Sequence, residues 1–213
     1  MKREHPILDI YYDNPNEASD MYLRYLKKDC EKNGIEVRVF DNLPTFWKES
    51  NNNSKASLFL EPIQNKHAKT LRDCINNNVD KSSATATGIY NYITENYPDR
   101  STTIAVIGRG LVGKQLIDKL IDYGYTVCEF NSKSNKESMI DYCHLFAEVI
   151  VGLSTEQVFD KYECNFVDND KVFIDAANNF DTDNKLRCGK WTRQVIVDRV
   201  LENYKKGQEN GRM

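Results

Sequence analysis

The sequence predicts an α/β protein of two domains, and three observations carry that prediction. Short apolar runs alternate with helical patterns along the chain, the order that builds parallel sheets. The stretch Asn96-Tyr97-Pro98-Asp99-Arg100 breaks this alternation and divides residues 1–97 from 98–191. A glycine pattern, Gly108-x-Gly110-x-x-Gly113, follows an apolar strand and precedes an amphipathic helix, so the second half reads as a Rossmann dinucleotide-binding fold.

Each element has its own signal. A strand is expected over Ile7 to Tyr12 and a turn at Asp13-Asn14-Pro15-Asn16. A helix follows from Glu17 to Asn33, with Tyr22, Leu23, Leu26 and Cys30 at helical spacing and Gly34 as its stop. Ile35 to Phe40 alternates like a strand, Asn51 to Ser54 is a polar loop, and Ser57 to Leu60 reads as a buried strand. Helices are expected over Lys66 to Asn76 and Ala84 to Glu95. The second half reads as strand Thr102–Ile107, helix Leu111–Asp122, strand Tyr125–Phe130, helix Lys136–Phe146 and strand Glu148–Val151. A short helix near Thr155–Phe159, strand Lys171–Ile174 and a final helix Thr192–Tyr204 complete it, with Lys205 to Met213 expected to fray.

Composition bounds the function. The 213 residues are 40% hydrophobic and 29% charged, with a formal net charge of −3, as in ordinary globular proteins. No basic run tracks a phosphate backbone, so nucleic acid is not an expected partner. The apolar runs are too short to span a bilayer, and the start lacks a signal peptide's apolar stretch, so the expected location is the cytoplasm. Cys30, Cys74, Cys128, Cys143, Cys164 and Cys188 contain no C-x-x-C pair, so reduced, core-filling thiols are expected and no metal site. His67 and His144 read as structural.

In Ile104-Ala105-Val106-Ile107-Gly108-Arg109-Gly110-Leu111-Val112-Gly113 each glycine has a physical task. Gly108 allows the tight turn, Gly110 lets backbone approach a pyrophosphate, and Gly113 lets the helix pack on the sheet. The first amides of the helix then face the phosphates, where the dipole favours negative charge. The second strand ends Glu129-Phe130-Asn131-Ser132-Lys133-Ser134. A carboxylate here suits the ribose 2′-hydroxyl of NAD. Arg109, Ser132 and Lys133 suit the 2′-phosphate of NADP. NADP is the expectation and NAD the alternative.

These residues fall into a longer series. It runs through Asp13-Asn14-Pro15, Ala18-Ser19, Tyr22, Lys28, Cys30, Gly34-Ile35, Leu60-Glu61-Pro62-Ile63, Val79-Asp80 and Ala84-Thr85-Ala86-Thr87-Gly88-Ile89. It continues through Val106-Ile107-Gly108-Arg109-Gly110, Val112-Gly113, Asn131-Ser132-Lys133-Ser134, Ala147-Glu148-Val149-Ile150-Val151, Ile174-Asp175 with Asn178, and Gly189 with Thr192. In this order they resemble the methylenetetrahydrofolate dehydrogenase/cyclohydrolase (FolD-type) family. The resemblance implies two α/β domains around a cleft, a last helix over 192–206 that rejoins the first domain, and a homodimer formed through the Rossmann domains. It also implies oxidation of 5,10-methylenetetrahydrofolate with hydride passing to NADP or NAD.

It further implies residue roles. Tyr22 would stack on the aminobenzoyl ring of a reduced folate, the substrate-side glutamine position falls on Leu60, or on Glu61 if the gap is placed differently, and Asp80 would bind the pterin. Thr192 would lie by the nicotinamide. Gly108, Arg109, Gly110, Leu111, Val112 and Gly113, with Asn131, Ser132 and Lys133, would hold the cofactor. The local alternatives are an amphipathic-helix aromatic for Tyr22, a loop arginine for Arg109, and helix caps for Asp80 and Thr192. The family's lysine, four residues after the tyrosine, is replaced by Leu26. Lys27 is rotated about 100° away on a helix. Hydride transfer needs mainly positioning, whereas hydrolysis needs proton movement, so dehydrogenase activity without cyclohydrolase activity is expected. The rivals are a dehydrogenase of another small substrate, as in shikimate dehydrogenases, and a non-catalytic nucleotide- or folate-binding homologue.

Overall fold

The computed structural model describes residues 5–12, 16–50, 56–60, 78–167 and 170–210. The expected turn residues 13–15, the loop 51–54, the helix 66–76, His67 and Cys74 lie outside them. The chain forms two compact units, Met1–Ala84 with Arg193–Met213, and Thr85–Thr192.

The first unit starts with β1 (Ile7–Tyr11), α1 (Glu17–Lys32), β2 (Glu36–Phe40), α2 (Leu43–Ser50) and β3 (Ala56–Phe59). Its sheet is parallel, in the order β2-β1-β3. The Asn16 side chain caps α1 by accepting from the Ser19 N–H at 3.0 Å, and Glu17 and Asp20 favour the positive end of the helix dipole. Leu23, Leu26 and Cys30 bury one stripe of α1 against Leu8, Ile10, Leu58 and Leu60. The chain leaves α1 through Gly34 at φ +68°, a conformation that suits glycine.

Helix α2 has no counterpart among the sequence expectations. The Asn42 side chain accepts from the Thr45 N–H at 3.0 Å, and Pro44 sits in the first turn, where its missing donor costs nothing. Phe46 is fully buried against Tyr11, Phe40 and Phe59. The centre of the sheet holds a charge, because Asp9 is fully buried. Arg38, its register partner on β2, donates to both carboxylate oxygens at 2.7 Å, and Ser50 Oγ donates at 3.0 Å.

Helix α3 (Lys81–Asn96) and helix α7 (Gly189–Asn210) each carry the chain across the division between units. The division falls at 84/85, inside α3, whereas the sequence pattern puts it at 97/98, beyond the helix. The apolar residues Ala86, Ile89 and Ile93 of α3 belong to the second unit's core. The polar break follows the last residue of the helix, Asn96.

The second unit contains β4 (Thr103–Ile107), α4 (Leu111–Tyr123), β5 (Thr126–Phe130), α5 (Lys136–Leu145) and β6 (Val149–Gly152). It continues with α6 (Lys161–Val167), β7 (Val172–Asp175) and β8 (Lys185–Arg187). All strands are parallel, in the order β5-β4-β6-β7-β8. Successive residues of β4 alternate between two cores, as a period of two requires. Ile104 and Val106 face α4, while Ala105 and Ile107 face α5 and α6. The expected α/β class with a Rossmann-type second half is therefore observed.

Three local expectations need correction. Residues 155–159 are not helical; the helix is Lys161–Val167. Asp160 and Glu163 start it with a reciprocal capping box, each side chain accepting from the other's backbone N–H at 2.9 Å, while Phe159 is anchored in the core. Second, the frayed tail expected from residue 205 is helical to Asn210. Third, Thr192 does not cap the last helix, because the helix begins at Gly189, three residues earlier. Strand β8 had no sequence signal: Lys185-Leu186-Arg187 is short and lacks an apolar alternation.

Candidate dinucleotide-binding site

The strand order of the second unit reverses at β4. The chain goes from β4 to β5 on one side and then to β6 on the other. Ligands of open α/β sheets bind at the carboxyl ends of strands beside such a switch point. The fingerprint glycines occupy that place.

Gly108 follows β4 with φ +111°, and a Cβ there would lie 2.7 Å from the Leu153 carbonyl carbon, just beyond β6. No other residue fits both the backbone angle and the space. A Cβ on Gly113 would lie 1.9 Å from the Gly108 carbonyl oxygen, so the first turn of α4 needs glycine to pack on the strand-to-helix turn. Gly110 differs. Nothing stands within 4 Å of its Cβ direction, and its φ of −72° suits any residue. No local packing explains glycine at 110. It caps α4 without a side-chain hydrogen bond, so the first-turn amides of Leu111, Val112 and Gly113 are left to an outside acceptor. An open cradle in front of uncapped amides is what a diphosphate fits.

The rim of this site is charged. The Arg109 guanidinium lies 3.3 Å from the Glu129 carboxylate. Asn131, Ser132 and Lys133 are exposed on the turn after β5. Asn131 Oδ1 accepts from the Lys133 N–H at 2.9 Å, and the Asn131 N–H donates to Ser134 Oγ at 3.0 Å, so the turn is closed by its own polar groups.

A second set of residues, missed as a group in the sequence, shapes the ends of β6 and β7. Asn179 is fully buried; its amide donates to the carbonyls of Ser154 and Glu156, both at 2.8 Å. Asp175, also buried, accepts from the N–H groups of Ala177 and Asn179 at 3.0 Å and lies 3.3 Å from Lys185 Nζ. Gly152 is required here, since its Cβ would lie 2.6 Å from the Asn179 Cβ. The asparagine that does this is Asn179 rather than Asn178. Asn178 is exposed at φ +62° and accepts from Arg187. The only sequence signal was the Ile174-Asp175 strand end.

The residues expected to touch substrate divide between the two units. Tyr22 in the first unit is half-buried, with Lys81 Nζ 4.9 Å and the Arg193 guanidinium 5.9 Å from its ring centre. Leu26 and Leu60 are core residues, 0% and 1% exposed. The Asp80 carboxylate accepts from the N–H groups of Ser82 and Ser83 at 3.1 and 3.3 Å, which makes it the cap of α3. Thr192 belongs to the second unit, where it is buried and donates to the Cys188 carbonyl at 3.1 Å.

Cys30, Cys128, Cys143, Cys164 and Cys188 form no disulfide. Burial pushes the thiols of Cys30 and Cys143 up to about 12 and that of Cys164 to about 11. Among the described residues no group of three or more His, Cys, Asp or Glu is placed to hold a metal ion, and no helix is long and apolar enough to cross a membrane.

Comparison with known proteins agrees with this geometry at the level of the fold. No family model matches the chain, and no curated relative matches it. Solved structures do. The NAD-dependent 5,10-methylenetetrahydrofolate dehydrogenase of Saccharomyces cerevisiae is 16% identical with a TM-score of 0.76, over 98% of this chain and 89% of that one. The methylenetetrahydrofolate dehydrogenase-cyclohydrolase of Trypanosoma brucei, complexed with NADP and inhibitor, is 11% identical with a TM-score of 0.75, over 95% and 87%. The bifunctional enzyme of Thermoplasma acidophilum is 18% identical with a TM-score of 0.71, over 96% and 90%. This chain shares their fold.

Proposed function

We propose that this protein is an oxidoreductase that binds a nicotinamide dinucleotide at the Gly108–Gly113 turn and oxidises 5,10-methylenetetrahydrofolate to the methenyl form. The observation that carries the reading is the cradle at Gly110, glycine without a packing reason in front of uncapped helix amides. The dinucleotide, when bound, supplies the hydride acceptor. The chain's own residues bind its diphosphate and exclude bulk at the turn. Support for the folate comes from the resemblance in the sequence and from the likeness in fold to enzymes named for that substrate.

Tyr22 is the proposed ring-stacking residue for the substrate, with Leu60 and Asp80 beside it in the family's order. Thr192 is proposed on the nicotinamide side. Leu26, buried where the resemblance has lysine, leaves no ammonium one turn beyond Tyr22, so the proposal excludes cyclohydrolase activity. NADP, the sequence expectation, rests on Arg109, Ser132 and Lys133. A cytoplasmic homodimer completes the proposal.

A second reading is favoured by Asp80. Both of its carboxylate oxygens are engaged in capping α3, which weakens its part in holding a pterin and keeps open a dehydrogenase of another small substrate. One assay separates the two. Purified protein with methylenetetrahydrofolate and NAD or NADP should give methenyl product and reduced cofactor in equimolar amounts, with the methenyl product persisting. Saturable dinucleotide binding without that turnover would favour the second reading.

A further inference from the structure

We propose that the Arg109–Glu129 pair makes the site selective for NAD over NADP, with Glu129 accepting a hydrogen bond from the 2′-hydroxyl of the adenosine ribose. The inference rests on the dinucleotide reading above and reverses its expectation of NADP.

The geometry comes from the strand register. Strand β5 lies beside β4, with Glu129 opposite Val106 and Phe130 opposite Ile107. The Phe130 carbonyl accepts from the Gly108 N–H at 2.8 Å, so the end of β5 is tied to the first glycine of the fingerprint. Glu129 is one residue short of that end, roughly twenty residues beyond Gly108, the interval at which an acidic residue meets the ribose in this kind of fold. Phe130 packs towards the α5 and α6 core, and Val127 packs into the α4 core. Glu129, two residues after Val127 on the strand, is therefore on the α4 face, the face of the fingerprint. Its carboxylate reaches Arg109, which stands between Gly108 and Gly110.

The two cofactors place different chemistry at this point. NAD presents a neutral hydroxyl, which donates to the carboxylate while the ion pair with Arg109 stays intact. NADP presents a phosphate with a charge of about −1.5 to −2. It would have to draw Arg109 away from Glu129 and then lie beside an unpaired carboxylate. Of the three residues expected to hold a 2′-phosphate, Arg109 is the one inside the fingerprint, and its charge is already matched. Ser132 and Lys133 are exposed on a turn that closes on itself through Asn131 and Ser134. Both members of the pair are solvent-accessible, at 56% and 40% side-chain exposure, so the pair contributes little to stability and replacing Glu129 leaves the fold intact.

The test is calorimetric titration of the full chain and of Glu129→Gln and Glu129→Ser with NAD and NADP, with circular dichroism confirming the fold. The parent is expected to bind NAD at least tenfold more tightly. Both variants are expected to shift the ratio of affinities towards NADP by tenfold or more, chiefly by tightening NADP. Tighter NADP binding by the parent, or a ratio unchanged in both variants, overturns this inference alone. Absence of binding by either dinucleotide to the parent overturns the dinucleotide reading, and this inference with it.

Discussion

Replacing Gly110 with alanine tests whether glycine is there for a ligand or for the fold. At this position the added methyl meets no protein atom within 4 Å, and φ of −72° is acceptable to alanine. The cost to the fold is limited to exchanging glycine for a poorer N-cap, under about 1 kcal/mol. The same methyl stands where a diphosphate would approach the amides of α4, and a loss of dinucleotide affinity of at least tenfold, about 1.4 kcal/mol, is expected. Gly113→Ala is the opposite case. Its Cβ would be 1.9 Å from the Gly108 carbonyl oxygen, and backbone must move. A destabilisation of about 3 kcal/mol, or failure to fold, is expected. Urea unfolding and calorimetric titration of both variants check the pair. If Gly110→Ala bound the dinucleotide like the parent, or unfolded as readily as Gly113→Ala, the reasoning about the cradle would be refuted.

Other outcomes follow from the same structure. Leu26→Lys, which would introduce the lysine that the resembled family carries, places an ammonium in the core beside Leu23 and Cys30 and is expected to lose about 3–5 kcal/mol in urea unfolding. Unchanged stability would show that this position reaches solvent. Asp80→Ala is expected to cost about 1 kcal/mol through loss of the α3 cap, and Asp80→Asn much less. Equal losses in the two variants would argue against capping. The buried thiols predict alkaline sensitivity. The unfolded chain ionises them near 9.0, whereas the folded protein keeps Cys30 and Cys143 protonated up to about 12. Their contribution is full below pH 9 and falls between these values, by about 1.4 kcal/mol per pH unit for each thiol. Stability measured from pH 8 to 10.5 should therefore fall less steeply in the Cys30→Ala, Cys143→Ala double variant.

Elements with a local cause were legible in the sequence. Helix α1 carries its own cap, apolar stripe and glycine exit, and β4 to α4 carries its glycines, so neither needs distant partners to be recognised. The alternation of strands and helices gave the α/β class for the same reason. Elements held by partners far along the chain were not legible. Strand β8 exists because β7 offers an edge and Asp175 holds Lys185. Helix α2 is held by an aromatic cluster drawn from β1, β2 and β3.

The candidate site divides the same way. The sequence by itself determined that a strand turns through three glycines into a helix, because backbone angle, missing Cβ and exposed amides are properties of adjacent residues. Only the tertiary structure decided that Glu129 meets Arg109 and that Leu26 is packed against Leu8, Ile10 and Leu58. Each of these depends on parallel strand register or on the face a helix turns inward. Such relations join residues tens of positions apart, and no local pattern encodes them.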